Sequence, residues 1–381
     1  MKTDTVAISV VETKADRQRF LRMTDALYAD DPNYVAPLEF ELGPRLDPTK
    51  NPELIKNEHR LWIATRGGDV VGRISAIVNK SHLELHQEKA GHFGFFECEN
   101  NPHTAKSLMD TAVDWLKSKG MIKVYGPANF SVNEECGLLV DGFDMPAYIM
   151  MPHGRPYYRE MIEAMGFVKA TDMYALEWLP RRDFIPEKRR AFVNKVLDRP
   201  TVEIRTLNRK DFIGDIRMIV DIFNDAWSHN WGFIPFGEDH VRHMAKELSP
   251  IIANHNIVLC FYKGEPAAFG LVLPNVNRAI RDFDGKLLPF NWAKFAYRLK
   301  VKGIDQSRMP LMGVRKHLQK KPVGAAFAYK IIDMVNSSNI DRGVTHSELS
   351  WILEGNESML TMLLEMGSRI YKTYRIYERA I

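Results

Sequence analysis

Apolar and amphipathic stretches alternate along the last part of the chain and predict strands and helices in turn. Continuous or alternating apolar positions are typical of strands, whereas apolar positions three and four residues apart are typical of helices. The predicted elements are a strand ending at Val314, a helix over 323–337, a strand over 345–353, a short helix over 358–366 that ends at Gly367, and one or two closing strands over 369–378.

A basic turn joins the first of these strands to the first helix. The turn contains Arg315, Lys316, Lys320 and Lys321, and small residues open the helix. A helix N-terminus has free N–H groups and a positive dipole end, so this turn is suited to bind a phosphate group. The alternative is an ordinary strand-to-helix turn with a solvated basic loop, and this stretch alone leaves both open.

The first half of the chain repeats parts of the second half. Gly68–Ile77 and Gly264–Leu273 both predict a hairpin with an apolar returning strand, and they lie 196 positions apart. Residues 163–167 and 364–368 both end a helix at a glycine and lie 201 positions apart. Two pairs of similar segments with nearly the same separation along the chain indicate a tandem duplication.

The corresponding turn of the first half has lost its positive charge. It precedes a helix predicted over 103–119 and carries Glu97 and Glu99, with no pair of glycines. Since like charges repel, a phosphate group is disfavoured there. If one half binds a phosphate-bearing ligand, we expect it to be the second.

The order of elements in the second half resembles the GCN5-related N-acetyltransferase (GNAT) fold. The acyl-CoA loop of that family is Gln/Arg-x-x-Gly-x-Gly/Ala and starts five residues after a strand valine. Here Gln319 lies five residues after Val314, and Gly324 falls on the second glycine. The family also has an Asn after its fifth strand and a Gly eleven residues later, and Asn356 and Gly367 keep that spacing.

Two positions depart from the family pattern. Pro322 replaces the first glycine of the loop, and proline has no N–H to donate, although it is well tolerated in a first helical turn. Leu363 stands where the family often has a tyrosine that protonates the leaving thiolate. The usual general acid is therefore absent or comes from elsewhere.

The resemblance implies an α/β (α+β) protein with two tandem GNAT-like domains. Each domain is expected to have a mixed, mostly antiparallel sheet flanked by helices, with an opening between its fourth and fifth strands. The length of 381 residues agrees with two domains. The expected ranges are a degenerate N-terminal domain at 1–180, a polar linker at 181–200 with a helix at 187–197, and an acyl-CoA-binding domain at 201–381.

The resemblance also implies acyl-CoA or acetyl-CoA as a co-substrate of the second domain. The strand main chain is expected to bind the pantetheine and the loop the pyrophosphate. The candidate cofactor-binding residues are Met312, Gly313, Val314, Gln319, Lys320, Lys321, Val323, Gly324, Ala325 and Asn356.

Composition limits the class of protein and its compartment. A hydrophobic content of 45% and a charged content of 26% are globular values, and the formal charge of +4 does not favour nucleic acid. The three cysteines have neither metal-binding nor disulfide spacing, so we expect no metal and a reducing environment. Without a signal peptide or a long apolar run, the chain is expected to be cytoplasmic.

An insertion over about 275–307 separates the third and fourth strands of the second half. It places one apolar stripe on a helix, formed by Leu288, Trp292, Phe295 and Leu299. One interpretation is a lid that packs this stripe onto its own domain, and the other is a helix on the inner membrane surface. In both cases the insertion is expected over the acyl end of the CoA groove, with Trp292 and Phe295 as substrate-binding residues.

Acyl transfer to an amine needs a base, donors for the thioester carbonyl, and an exit for the thiolate. No acid lies between Met309 and Gln319, so Glu348 on the next strand is the candidate base, and Tyr371 and Tyr374 are candidate acids. The alternative for Glu348 is a strand carboxylate paired with an arginine or lysine. The alternative for the two tyrosines is half-buried packing on the strand.

The first half has a polar concentration of its own at 129–143. Glu134 is a second candidate base, because it directly precedes a hydrophobic strand and can present a carboxylate to an amine. Asn133, Glu135 and His153 are candidate substrate-binding residues. The alternatives are a solvated loop for the segment and a cap or surface position for His153.

The whole-chain pattern is similar to a bacterial tandem group of the superfamily that is connected with ceramide synthesis. This similarity implies an enzyme that transfers a long acyl chain from CoA to an amine such as a sphingoid base. Two alternatives stay open: a small-molecule N-acetyltransferase that uses acetyl-CoA, and a non-catalytic CoA-binding module. The expected partner is thus a small-molecule or lipid amine, with no nucleic acid.

Overall fold

The computed structural model describes residues 5–381 and divides them into two compact units. The N-terminal unit comprises the described residues up to Met173 together with Ile280–Phe295 and Lys372–Ile381. The C-terminal unit comprises Tyr174–Ala279 and Ala296–Tyr371. Part of the insertion and most of the last strand therefore belong to the N-terminal unit.

The segment expected as a linker contains a helix of the C-terminal unit. The helix predicted over 187–197 is present as Glu187–Leu197, and its Val193 and Val196 are buried in the core of that unit. The domain ranges 1–180, 181–200 and 201–381 remain a prediction, and residues 1–4 of the first range lie outside the described residues.

The N-terminal unit is built on a five-stranded sheet in the order β1-β2-β3-β4-β5, extended by the end of the last strand. Neighbouring strands are antiparallel from β1 to β4, and β4 and β5 are parallel. Its elements are β1 Ala7–Val10, α1 Lys14–Leu27, α2 Glu39–Arg45, α3 Pro52–Lys56, β2 Glu58–Arg66, β3 Asp69–Val78, α4 Lys80–His86, β4 Ala90–Cys98, α5 Pro102–Ser118, β5 Lys123–Gly126, β6 Leu138–Asp141, α6 Tyr157–Ala164 and β7 Val168–Trp178, which continues into the C-terminal unit.

The C-terminal unit repeats this plan. Its strands run in the order β12-β11-β10-β9-β8, with antiparallel neighbours from β8 to β11 and a parallel β11–β12 pair. The elements from residue 187 onward are α7 Glu187–Leu197, β8 Val202–Thr206, α8 Phe212–Ala226, α9 Glu238–Leu248, β9 Ile257–Tyr262, β10 Glu265–Pro274, α10 Val276–Ile280, α11 Asn291–Tyr297, β11 Gln306–Val314, α12 Lys316–Gln319, α13 Pro322–Asp341, β12 His346–Leu353, α14 Glu357–Glu365 and β13 Arg369–Ala380. Of these, α11 and β13 lie mostly in the N-terminal unit.

One long helix crosses between the parallel strands of each unit and covers its sheet. In α5, the Asn101 side chain accepts the N–H groups of His103 and Thr104, and the apolar residues that recur every three or four positions are buried. In α13, Pro322 occupies the first turn, and Phe327 and Ile331 are fully buried. Because both units share strand order and crossover, the structure agrees with a tandem duplication.

The elements for which the sequence pattern gave bounds lie within four residues of the observed ones. The predicted mixed α/β architecture is confirmed, as are the two hairpins, whose turns contain Gly68 and Gly264. The short helix α12 was not predicted, because its four residues are too few to show a period.

Candidate active site

Strands β11 and β12 part in the middle and leave an opening in the C-terminal sheet. Their parallel pairing runs from Gln306 opposite His346 to Met309 opposite Leu349 and then stops. Strand β11 continues to Val314 and β12 to Leu353 without further pairing to each other. The opening expected between the fourth and fifth strands of this unit is therefore present.

The main chain of Met312 and Val314 faces this opening. The N–H of Arg315 donates to the carbonyl oxygen of Ala267 on β10 at 2.9 Å, which fixes the antiparallel register. Alternate residues of an antiparallel strand point their backbone groups to opposite edges, so Met312 and Val314 direct theirs away from β10. These are the positions at which an extended ligand can add to the strand edge.

Two side chains already bind carbonyl groups on this edge. Gln319 Nε2 donates to the Val314 carbonyl oxygen at 2.9 Å, and Trp227 Nε1 donates to the Met312 carbonyl oxygen at 3.3 Å. Gln319 thus fastens the turn to the strand end. Trp227, at the end of α8, was not singled out in the sequence, because its role depends on a contact across 85 positions.

The turn after β11 is compact and requires glycine at one position. A Cβ atom built on Gly324 would lie 2.1 Å from the carbonyl oxygen of Leu318, which no side chain can tolerate. The N–H of Lys321 donates to that same oxygen at 2.8 Å. Close packing against the Leu318 carbonyl oxygen therefore explains why this chain has a glycine at position 324, the second glycine of the family's loop.

The four basic residues of the turn are not equivalent. Arg315 forms an ion pair with Asp221, and Lys316 Nζ lies 3.3 Å from His229 Nε2. Lys320 and Lys321 are exposed beside the first turn of α13. An anion at this helix N-terminus would therefore meet these two lysines, together with the exposed Ala325.

Acidic residues of α8 limit the positive field on the other side of the turn. The Asp225 carboxylate accepts the backbone N–H of Lys316 at 2.8 Å, so that donor already has a partner. With Asp221 on Arg315, two carboxylates face the start of the turn. The candidate phosphate-binding site is therefore restricted to residues around 319–325, which include Val323 and Gly324.

Asn356 and Leu363 follow β12 and have structural contacts. The side chain of Asn356 accepts the N–H of Met359 at 3.3 Å and caps α14. Leu363 is buried in an apolar cluster with Trp178, Ile332 and Met366. The position of the family's tyrosine therefore serves the core of this unit.

Glu348 lies in a buried polar cluster of the C-terminal unit. Its Oε1 accepts the Ser350 hydroxyl at 2.6 Å and lies 3.3 Å from Arg308 Nε, and its Oε2 accepts the Tyr371 hydroxyl. Arg308 also donates to the Ser350 hydroxyl at 2.8 Å. The candidate base and candidate acid are thus hydrogen-bonded to each other, and the pairing with arginine matches the alternative considered for Glu348.

Arg308 was missed in the sequence. It is 2% exposed and lies on β11, directly opposite Glu348 on β12. A buried arginine is rare unless it is paired, and its partner was visible only through the register of two parallel strands. The apolar pattern that predicted strand β11 did not indicate that the side chain of Arg308 is buried.

Glu134 and Glu135 share one arginine in the N-terminal unit. Arg45 Nε lies 3.0 Å from Glu134 Oε2, and Arg45 Nη1 lies 3.1 Å from Glu135 Oε1. The amide of Asn129 donates to Glu135 at 3.0 Å. The loop is therefore anchored through its carboxylates and is not simply solvated.

The two neighbouring carboxyl groups differ in acidity. Burial, opposed by the charge of Arg45 and reinforced by Glu53, raises the pKa of Glu134 to about 7. Burial acts on Glu135 in the same direction, but Arg45 and Asn129 outweigh it and hold the pKa of Glu135 below its usual range. A carboxyl group with a pKa near neutrality is suited to accept and return a proton.

The corresponding opening of the N-terminal sheet is filled by the chain itself. Strands β4 and β5 pair only as far as His92 opposite Tyr125. Beyond that point the N–H of Ala128 donates to the Phe93 carbonyl oxygen at 2.8 Å, and the N–H of Phe95 donates to the Asn129 side chain at 2.7 Å. The strand edge that is open in the C-terminal unit is therefore covered in the N-terminal unit.

The acids at the end of β4 are held in place. Glu97 accepts the hydroxyl groups of Tyr28 and Tyr158 at 2.6 and 2.7 Å, and Glu99 lies 3.0 Å from Arg66. Burial raises the pKa of Glu97. A phosphate group would have to displace these contacts, which agrees with the degeneracy inferred for this half.

The side chain of His153 is 8% exposed and paired, so His153 is not in the cap or surface position considered as the alternative, and its role in substrate binding remains a prediction. Its Nε2 lies 2.9 Å from Asp31 Oδ2, and its ring packs beside Tyr28 and Tyr34. Burial lowers the pKa of His153 against the opposing effect of Asp31. Asn133 lies in the loop turn, where its N–H is 3.3 Å from the Ser131 hydroxyl oxygen.

The insertion does not pack its stripe onto the C-terminal domain, so that interpretation was wrong. Phe295 packs against Leu38, Ile280 and Phe283 in the N-terminal unit. Trp292 on the same stripe is 55% exposed. Residues 280–295 belong to the N-terminal unit, so Phe295 packs there and not on the C-terminal domain. A 3.6-residue period shows that a helix has an apolar face, but it does not show which unit that face packs against.

Metal-ligand clusters and membrane-spanning helices would each indicate another class of site. Within residues 5–381, no group of three or more histidine, cysteine or acidic side chains is placed to hold a metal ion. No helix in that range is both long enough and apolar enough to span a bilayer.

The fold is shared with solved GNAT proteins, one of them a tandem GNAT protein. A tandem GNAT protein from the clavulanic acid biosynthesis pathway superposes with a TM-score of 0.56 at 9% identity, over 99% of this chain and 98% of that one. A GCN5-related N-acetyltransferase from Sphaerobacter thermophilus gives 0.54 at 11% identity, over 100% and 97%. At such low identity, these structures show the tandem GNAT fold.

Two curated proteins are similar over nearly the whole chain. Protein YghO of Escherichia coli (strain K12) is 39% identical over 97% of this chain and 94% of its own length. A bacterial ceramide synthase of Caulobacter vibrioides (strain NA1000 / CB15N) is 38% identical over 99% and 98%. No protein-family model matches the sequence. The chain therefore belongs to the tandem GNAT acyltransferase family that contains these two proteins.

Proposed function

We propose that this protein transfers a long acyl chain from acyl-CoA to the amino group of a lipid such as a sphingoid base. The observation that carries the proposal is the open edge of β11 beside a basic helix N-terminus, in a chain 38% identical to a bacterial ceramide synthase. The use of acyl-CoA as the acyl donor is inferred from the fold. The class of acceptor, a lipid amine, is inferred from that relative.

Acyl-CoA is proposed to bind the C-terminal unit alone. The pantetheine would add to the strand edge at Met312 and Val314, where backbone groups point into the opening. The pyrophosphate would lie at the start of α13, against Lys320, Lys321 and the N–H groups around Gly324. The closed edge of the N-terminal sheet supports this choice of unit, since Asn129 occupies it.

The proposed chemistry is direct attack of the amine on the thioester carbonyl carbon. A C–N bond forms, the C–S bond breaks, and one proton moves from the nitrogen to the sulfur. Backbone N–H groups of the opening would stabilise the oxygen charge that develops on the carbonyl. The products are an amide and free CoA, so no further reactant is needed.

The hydrogen-bonded pair of Tyr371 and Glu348 is proposed to move the proton. Tyr371 would take the proton of the attacking amine as it passes its own to the Glu348 carboxylate, and the reverse transfer would protonate the thiolate. Arg308 would stabilise the carboxylate between turnovers. Tyr371 and Glu348 would thus take over the role of the family's general-acid tyrosine, whose position is occupied here by Leu363.

A product assay tests the proposal against its alternatives. Purified protein is incubated with palmitoyl-CoA or acetyl-CoA and with sphinganine, 3-oxosphinganine or a panel of small polar amines, and the products are identified by mass spectrometry. We expect N-palmitoylated sphingoid product. Acetylation of a polar amine with no long-chain product would favour a small-molecule acetyltransferase, and CoA binding without any product would favour a binding module.

A further inference from the structure

The stretch from Lys286 to Lys302 exposes large apolar side chains to solvent. Among the described residues, the three most exposed large hydrophobic side chains are Phe290 at 77%, Leu288 at 74% and Val301 at 71%, and all three lie in this stretch. Tyr297 and Trp292 are exposed by more than half as well. Such a concentration is uncommon on a surface that faces only water.

The charges of the same stretch all have one sign. It carries five basic residues and no acidic residue: Lys286, Lys294, Arg298, Lys300 and Lys302. The four lysines are exposed, and two exposed aspartates, Asp282 and Asp284, lie just before the stretch. Exposed apolar groups among basic side chains complement a surface that is apolar inside and negatively charged outside.

The local structure suits contact with such a surface along its length. Leu288 and Phe290 lie in the loop ahead of helix Asn291–Tyr297, which continues as a π-helical turn, Arg298–Lys302. Phe295 and Leu299 are half-buried, whereas Trp292, Tyr297 and Val301 are exposed. The segment is therefore fixed to the protein by one face while its other side chains point outward.

We propose that residues 286–302 dock this protein onto the surface of an anionic phospholipid bilayer. The loop side chains Leu288 and Phe290 enter the headgroup boundary, aromatic rings lie at the interface, and the lysines contact lipid phosphates. A second copy of the chain would fit this surface less well, since two such stretches would oppose basic charges. Docking is measured without acyl-CoA, so it stands or falls separately from the proposed acyl transfer.

Vesicle flotation of the full chain tests this proposal. The protein is mixed with phosphatidylcholine vesicles with and without phosphatidylglycerol, at low and high salt. We expect binding that requires phosphatidylglycerol and weakens with salt. Replacing Lys300 and Lys302 with Gln should lower the partition coefficient by about 25-fold, at about fivefold for each lysine.

A matched pair of variants locates the contact. Leu288→Asp with Phe290→Asp should abolish flotation, whereas Ile122→Asp with Val168→Asp, two exposed apolar residues elsewhere, should leave it unchanged. Circular dichroism confirms that both variants are folded. Quenching by brominated lipid should report Trp292 and disappear in Trp292→Phe.

Three results would overturn the proposal. The first is wild-type protein that stays with the soluble fraction at every lipid composition. The second is equal flotation of the two double variants. The third is a dimer, measured by light scattering, that Leu288→Asp with Phe290→Asp dissociates in the absence of any lipid binding.

Discussion

The hydroxyl group of Tyr371 donates a hydrogen bond to the Glu348 carboxylate, within the C-terminal unit. Replacing Tyr371 with Phe removes the proposed proton carrier and keeps the ring. We expect kcat to fall by about 100- to 10,000-fold, with the KM for acyl-CoA unchanged. The matched control is Tyr374→Phe, on the same strand. A kcat within twofold of wild type would exclude Tyr371 from the chemistry.

The ion pair of Arg308 and Glu348 is buried, so each charge is stabilised in the folded protein by the charge of its partner. Glu348→Ala should lower the free energy of unfolding by about 3–5 kcal/mol, because it leaves the Arg308 charge buried without its partner. Replacing both residues with Met should cost less than the single change. Urea unfolding measures both, and a double variant less stable than Glu348→Ala would contradict this account.

The glycine of the turn after β11, Gly324, offers a test of the proposed CoA site. Gly324→Ala forces the turn apart, because the new Cβ would meet the Leu318 carbonyl oxygen at 2.1 Å. We expect CoA affinity to fall at least about tenfold by calorimetry, with a loss of stability of about 1–3 kcal/mol. Gly43→Ala is the control, since a Cβ there meets nothing within 4 Å. Wild-type CoA affinity in Gly324→Ala would place the pyrophosphate elsewhere.

The raised pKa of Glu134 predicts a pH dependence of stability. Its folded-state pKa of about 7 exceeds the usual 4.5, so the folded protein binds more protons between these values. The contribution of Glu134 to the free energy of unfolding therefore falls as the pH rises from about 4.5 to about 7 and is level above 7. Glu134→Gln should remove this slope in urea unfolding at several pH values.

Glu135→Gln is the matched control for that series. The pKa of Glu135 is lowered in the folded state, so its stabilisation is present above the usual value and is lost as the pH falls through the folded pKa. The two variants should therefore change the pH profile in opposite senses. Parallel profiles would contradict the assignment of different acidities to these neighbours.

The sequence predicted the elements around the proposed CoA site because their signals are local. The strand into Val314, the basic turn and helix α13 follow one another along the chain, and the requirement for glycine at 324 arises within a few residues. The same is true of the hairpin turns at Gly68 and Gly264. Local pattern and chain order sufficed for this part of the fold.

The contacts that the sequence did not predict join residues far apart in the chain. Arg45 reaches Glu134 across 89 positions, and His153 reaches Asp31 across 122. Such pairs depend on how separate elements pack, which neither periodicity nor spacing reports. The insertion was misplaced for the same reason, since its Phe295 belongs to the N-terminal unit and packs there on Leu38.

The central claim is transfer of a long acyl chain to a lipid amine, and one competition measures it most directly. Wild-type protein receives equal concentrations of acetyl-CoA and palmitoyl-CoA with sphinganine, and mass spectrometry counts the two N-acyl products. Each buried CH₂ contributes about 0.8 kcal/mol, so N-palmitoyl product should exceed N-acetyl product by at least about a hundredfold. Equal amounts of the two products, or an excess of N-acetyl product, would contradict the proposed function.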